Sequence, residues 1–231
     1  MSFNQPKCSC EQCQLKNLFF SHISVDELFD ICDIKEERTY TKGQLIITEG
    51  DKIEDFLYMK EGLVKLSKSS GEHKDQIISF SKPFDFVSLL SVFSSEVHMY
   101  SVTALENTTV CVLDLNVVKN KARQNAMFAM DLMTQISQVT DKIIIENLVI
   151  RRKQLKGRVA HVLLYFANYI YEKDEFELPI SRREIAEYIG MTTENVIRTL
   201  SEFRKDNIIK IFGKDILIVD KKRLESISEF G

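Results

Sequence analysis

Residues 181–206 read SRREIAEYIGMTTENVIRTLSEFRKD. Ser181, followed three residues later by Glu184, is a capping box and marks a helix start. Ile185, Ala186 and Ile189 then share one helical face, and Gly190 follows where a left-handed residue ends a helix without a Cβ penalty. Thr192 is a second N-cap. Val196, Leu200 and Phe203, at spacings of four and three, form the apolar stripe of a second helix. Two short helices joined by a tight glycine turn, with small Ala186 where they would cross, make a helix-turn-helix. In that motif the second helix enters the DNA major groove and its first residues meet base edges. The residues left facing outward are Thr193, Glu194, Ile197, Arg198 and Ser201. A helical hairpin packed inside a core would carry the same caps, so the flanking sequence has to decide.

Directly after the second helix, IIKIF, Gly213-Lys214-Asp215 and ILIV read as a β-hairpin, the wing of a winged helix. Upstream, no Gly or Pro occurs between Asn116 and Ile150. Within that stretch Met133, Ile136, Thr140, Ile143, Asn147 and Ile150 recur at three and four, the seam of a two-stranded helical pair. Polar Thr140 and Asn147 in such a seam would fix its register at some cost in stability. A helix lying on its own domain is the alternative. RRKQLKGR (151–158) is a basic hinge, HVLLYFANYIY a buried helix and EKDEFELP a charged loop ending at Pro179.

From Tyr40 to Leu115 the texture changes to short β-rich runs: QLIITEG, FLYMKEG, LVKLSKSSG, QIISF, SVTAL and TVCVLDL. Glycines at 43, 50, 62 and 71 punctuate them, as expected for a sandwich or barrel. Before the roll, LKNLFFSHISVDELFDIC reads as helical, with Ser24 as cap and Leu28, Phe29 and Ile31 as its apolar residues. The expected fold class is α+β. It comprises a cysteine segment and β-roll over residues 1–115, a dimerisation helix over 116–150 and a winged helix-turn-helix over 151–231.

The chain has 231 residues and a net charge of −3, divided as −6 over residues 1–150 and +3 over 151–231. A basic second half suits a polyanionic partner, although the excess is small. No apolar run approaches the ~20 residues that cross a bilayer, and MSFNQPKCSCEQC lacks a signal peptide's apolar region. The expectation is a cytoplasmic protein with no membrane partner. Five cysteines without an export signal read as thiols or metal ligands rather than a disulfide framework.

A β-roll, a long dimer helix and a C-terminal winged helix, in that order, resemble the Crp/Fnr family of bacterial transcription regulators. The roll's glycines fall in the family's phrasing in YTKGQLIITEGD, FLYMKEGLVKL and KPFDFVSLLSVF, and LPISRREIAEYIGMTTENVIRTLSEFRKDNII is the most specific match. The resemblance implies a homodimer on a two-fold symmetric operator, with RNA polymerase as a further partner. It places Ser181 and Arg182 on phosphate, Thr192 as a cap that also meets the backbone, and Gly213 and Lys214 at a phosphate-contacting wing tip. Thr193, Asn195 and Ser201 complete the expected DNA face. Glu194 and Arg198 match the family's base readers. The chemistry agrees: Arg198 can pair with guanine O6 and N7, and Glu194 can accept from cytosine N4. Four residues apart, Glu194 could instead hold Arg198. Where the oxygen-sensing Fnr branch has Ser, this chain has Ile197, which can read only a thymine methyl or exclude other bases.

Cyclic-nucleotide binders of the family use an Arg on the phosphate and a Glu on the ribose. The matching stretches here are Val87-Ser88-Leu89-Leu90 and Tyr100-Ser101, so both charges are absent. A buried phosphate without its cation is costly, which argues against cyclic AMP and leaves Ser88, Leu89, Tyr100 and Ser101 lining any effector pocket. The Fnr branch holds an iron–sulfur cluster on four cysteines. Cys10, Cys13 and Cys111 match three of them, but the remaining position is Phe19, and Cys8 lies on the other side of the pair. An iron–sulfur cluster, zinc on Cys8, Cys10 and Cys13 with a fourth ligand, and reduced or redox-active thiols all stay open. His22, His73, His98 and His161 are scattered, with no His-x-His pair for a cupin-like oxygenase. Without a phosphate loop or nucleophile elbow either, the expectation is a regulator and not an enzyme.

Overall fold

The computed structural model of the protein describes residues 34–69, 71, 75–83, 85 and 90–231. The expected N-terminal helix, Cys8, Cys10, Cys13, Phe19, His22, His73, Ser88 and Leu89 lie outside them. The chain forms two compact units, Met1–Val64 with Ser81–Thr140, and Lys65–Phe80 with Asp141–Gly231. Among the described residues seven strands lie between Lys35 and Leu115: β1 (Glu36–Tyr40), β2 (Leu45–Ile47), β3 (Asp55–Glu61), β4 (Val64–Ser69), β5 (Asp75–Ser81), β6 (Ser101–Ala104) and β7 (Thr108–Asp114).

In the first unit β7 lies between β1 and β3, antiparallel to both, and β2 pairs antiparallel with β6. Strand β1 is absent from the sequence reading. Its sequence, EERTY, has no apolar alternation, and it is exposed along most of its length. Ladder bonds to β7 hold it, with Arg38–Asp55 at 2.7 Å and Lys60–Glu37 at 2.9 Å as weaker surface support. Phe56, Tyr58, Cys111 and Leu113 point from β3 and β7 into a core closed by helices α1 (Leu115–Gln124) and α2 (Ala126–Arg152). Phe128 and Leu132 of α2 are buried there, each contributing roughly 1.5–3 kcal/mol.

The uninterrupted helix expected from Asn116 is in fact two. Asn125 ends α1 in an extended conformation, and its side-chain oxygen accepts from the Phe128 N–H at 3.1 Å, capping α2. The six residues of the expected seam do not share one exposure in the single chain. Ile150 is 4% exposed, and Ile136 packs with Val139 against the roll core. Thr140 and Asn147 donate to the carbonyls of Ile136 and Ile143 in their own helix. Met133 alone of the six faces fully outward, on an open stripe with Met130, Ile144 and Leu148. Three consecutive isoleucines, 143–145, put an apolar residue on each of three faces, so spacing alone could not set the phase.

The second unit contains the hairpin strands β4 and β5, α3 (Leu155–Tyr165) with a π-helical turn at Phe166–Ile170, β8 (Glu175–Glu177), α4 (Arg182–Ile189), α5 (Thr193–Lys205), β9 (Ile209–Phe212), β10 (Asp215–Ile218) and α6 (Lys221–Phe230). The charged loop of the sequence reading contains β8. Phe176 is buried and β8 pairs with β10, so the wing sheet has three strands. Ile185, Ala186, Ile189, Val196, Leu200 and Phe203 are all buried, as their spacing requires. Phe80 packs on Phe166 and Tyr188 with ring centroids 5.1 and 4.8 Å apart.

Two consequences can be measured. A Cβ on Gly157 in α3 would lie 2.5 Å from the Gly231 carbonyl and 3.1 Å from that of Ile227. Alanine ordinarily favours a helix interior by up to about 1 kcal/mol. Gly157→Ala should instead destabilise by about 1–3 kcal/mol in thermal or urea unfolding, because α6 must move. The second concerns His98, 6% exposed with no hydrogen-bond partner for Nδ1. Burial holds its pKa below the ordinary 6.5, against the opposing pull of Asp51 and Asp55. Above pH 6.5 folded and unfolded chains both carry it neutral. As pH falls below that value only the unfolded chain takes up the proton, so stability is lost toward the lower folded pKa. Unfolding midpoints should therefore fall on acidification, and His98→Gln should flatten the dependence in that window.

Candidate nucleic-acid interface

The helix-turn-helix is fixed at each of its ends by side chains the sequence announces. Ser181 Oγ accepts from the Glu184 N–H at 3.1 Å while Glu184 accepts from the Ser181 N–H at 2.7 Å. Gly190 takes the left-handed conformation, φ 65°, at the end of α4. Thr192 is extended, and its Oγ1 accepts from the Asn195 N–H at 3.3 Å. These caps set the angle at which α5 leaves the turn and occupy N–H groups that a helix start otherwise leaves without a partner.

On the outward face Glu194, Ile197, Arg198 and Ser201 are exposed, and Thr193 and Asn195 half-buried. Ile197 is 50% exposed, so it is not part of the core stripe. Arg198 Nη2 donates to Asn195 Oδ1 at 2.9 Å. The holder of this guanidinium is therefore Asn195, three residues back, and not Glu194. The Glu194 carboxylate is drawn to its own backbone N–H and the Thr192 hydroxyl, which keep its pKa below the usual value. The Ser201 hydroxyl donates to the Ile197 carbonyl at 2.9 Å, so its remaining capacity toward a ligand is as an acceptor.

The wing tip is tied to the start of α4. Arg182 Nη2 donates to the Gly213 carbonyl at 3.4 Å, and the Leu178 N–H donates to the Lys214 carbonyl at 2.9 Å. Burial lowers the Arg182 pKa, and a guanidinium keeps its charge in proteins. Ser181, Arg182, Gly213 and Lys214 thus form one continuous edge beside the recognition helix.

Two polar clusters in the same unit carry no motif and escape the sequence reading. Arg158 donates to the carbonyls of Lys153 at 3.0 Å, Ile189 at 3.1 Å and Arg151 at 3.4 Å. Glu146 of α2 accepts from Tyr188 at 3.1 Å and lies 2.7 Å from His161 Nε2. Burial pushes Glu146 upward, but His161, Tyr188 and Lys142 outweigh it and hold the carboxylate ionised. Residues separated by 15 and 42 positions leave no spacing signature to find.

Of the expected effector-site residues, Tyr100 is 3% exposed with its hydroxyl accepting from the Leu90 N–H, and Ser101 Oγ accepts from the Glu49 N–H. Cys111 is fully buried, in the apolar cluster with Tyr58, Leu113 and Phe128. No group of three His, Cys, Asp or Glu placed to hold a metal occurs among the described residues. Cys111 is a core side chain here, and the other candidate ligands, Cys8, Cys10 and Cys13, lie outside the described residues. No described helix is long and apolar enough to cross a membrane.

Comparison with known proteins agrees with this architecture. Residues 37–125 match the cyclic nucleotide-binding domain and residues 157–227 the Crp-like helix-turn-helix domain. Electron transport regulator A of Shewanella oneidensis is 25% identical over 95% of this chain and 90% of its own length. The transcriptional activator protein Anr of Pseudomonas protegens is 27% identical over 93% and 90%. Among solved structures, FixK2 from Bradyrhizobium japonicum superposes with a TM-score of 0.74 at 25% identity, covering 84% of this chain and 97% of that one. With a roll, a winged helix-turn-helix and likenesses spanning nearly its whole length, the chain belongs to the Crp/Fnr family of DNA-binding transcription regulators.

Proposed function

We propose that the protein acts as a homodimer on a two-fold symmetric operator, reading each half-site with α5 under the control of an effector other than cyclic AMP. The observation that carries this reading is the oriented guanidinium of Arg198, held by Asn195 on an exposed helix face next to Ile197. An arginine restrained in this way loses less freedom when it forms a bidentate pair with guanine. In this reading Glu194 accepts from cytosine, Ile197 contacts a thymine methyl, and Thr193, Asn195 and Ser201 line the groove. Ser181, Arg182, Thr192, Gly213 and Lys214 position the domain on phosphates, which carry register rather than sequence.

Dimerisation in this reading uses the open stripe of α2, Met130, Met133, Ile144 and Leu148, in place of the face centred on Ile143. RNA polymerase contact follows from the family. Redox or oxygen control is the second reading. It is supported by relatives such as the fumarate and nitrate reduction regulatory protein of Yersinia pestis, 26% identical over 95% of this chain and 90% of its own length. The buried position of Cys111 and Phe19 at a ligand position weigh against a four-cysteine cluster as the means. Domain limits follow the same reading, with the effector domain ending near residue 115, the dimer helix reaching residue 150 and the DNA-binding domain beyond it.

Arg198→Ala should weaken binding to the cognate site by about ten- to a hundredfold in fluorescence anisotropy and relax discrimination at one base pair, with little effect on unrelated duplex. Ile197→Ala should lower discrimination at a neighbouring pair by ~1 kcal/mol or more. Equal losses on all sequences would mark either residue as a backbone contact. Replacing both Ile144 and Leu148 with Glu should yield folded monomers in sedimentation velocity. A persisting dimer would place the seam elsewhere.

A further inference from the structure

Phe212 is 66% exposed, on a wing whose neighbouring strand positions alternate in the ordinary way. Along β9, Ile209 is buried, Lys210 exposed, Ile211 half-buried and Phe212 exposed, so Lys210 and Phe212 share the outer face. Phe212 pairs with Asp215 across the two-residue turn Gly213-Lys214. Nothing in the hairpin's own packing calls for an aromatic ring there, and its place beside the wing tip and Arg182 is what gives the exposure meaning.

The surroundings indicate which partner. Phe212 precedes Gly213, whose carbonyl accepts from Arg182, and it stands beside exposed Lys214 and Lys210. Consecutive Cα atoms are ~3.8 Å apart, so a phosphate held by Arg182 would bring its deoxyribose within reach of the ring. The patch is apolar at its centre and cationic at its edge, and it continues the DNA-facing edge formed by Ser181, Arg182 and Lys214. A phenyl ring has no hydrogen-bonding group with which to read a base edge, whereas the C–H face of a deoxyribose offers it an apolar surface.

We propose that Phe212 packs on the deoxyribose backbone flanking each half-site and adds affinity without adding sequence information. The inference rests on the DNA-binding reading above. Because the ring is neutral, it releases no counterion and leaves the salt dependence of binding unchanged, unlike a lysine contact. Because sugars are the same at every step, its contribution is equal on operator and on unrelated duplex.

The test is anisotropy titration of the full chain and of Phe212→Ala and Lys214→Ala, on cognate and unrelated duplexes over a range of salt. The exposed position predicts unchanged melting temperatures for both variants. Phe212→Ala should bind both duplexes about tenfold more weakly with the wild-type salt slope, and Phe212→Tyr should restore most of the loss. Lys214→Ala should lower the slope by about one. Hydroxyl-radical footprinting should lose protection of flanking sugars in Phe212→Ala only. Undiminished affinity, or a loss confined to the cognate site, overturns the proposal. So does intact DNA binding with lost transcription activation, which would assign the ring to a protein partner. Failure of the wild-type chain to bind any duplex would instead refute the DNA-binding reading itself.

Discussion

Arg158 is the constraint on which the DNA-binding unit depends. Its planar guanidinium, at the start of α3, collects carbonyls from the end of α2 at Arg151 and Lys153 and from the end of α4 at Ile189. Helix C-termini leave their last carbonyls without intrahelical partners, and a cation there satisfies them and opposes the helix dipole. One side chain therefore does at three carbonyls what separate caps would otherwise do. Glu146 repeats the connection a turn and a half earlier in α2, toward His161 of α3 and Tyr188 of α4. Between them these two groups fix where the first helix of the helix-turn-helix stands relative to the last turns of the long helix.

From that anchor the reading surface follows by local rules. Ser181 starts α4, Gly190 turns the chain, Thr192 starts α5, and the buried Val196, Leu200 and Phe203 decide that Ile197 and Arg198 face out. Arg182 and Leu178 then fix the wing tip against the same edge. Specific recognition needs such rigidity, since a base-reading side chain misplaced by an ångström loses its pairing geometry. The caps and the Asn195–Arg198 contact on the recognition helix join neighbours in sequence, and the contacts that aim it and hold the wing tip join residues far apart in sequence.

That difference explains which features are legible in the amino-acid sequence. Capping boxes, glycine turns and periodic stripes are local, so the helix-turn-helix, the wing and the roll strands from β2 to β7 can be read from it directly. Strands β1 and β8 cannot. EERTY and EFE are charged, and only pairing with β7 and β10 makes them strands. Asn125 has the chemistry of a cap but lies inside an otherwise unbroken helical run. The phase of α2 is ambiguous because the isoleucines at 143–145 satisfy several faces, and contact with the roll at Ile136 decides it. Arg198 has two candidate holders within reach. The N-terminus of α5 claims the Glu194 carboxylate and leaves the guanidinium to Asn195. For Cys111, the resemblance to the Fnr branch implies a ligand, while the alternation of β7 sends its side chain into the core.

The central claim is that one winged helix per protomer reads one half of a symmetric DNA site through Glu194, Ile197 and Arg198. Selection of bound sequences from a random duplex pool by the full chain tests it most directly. An inverted repeat whose half-site centres lie about one helical turn apart, carrying a base pair altered by Ile197→Ser, is the predicted result. Enrichment of a single unsymmetric element, or of no sequence at all, would contradict it.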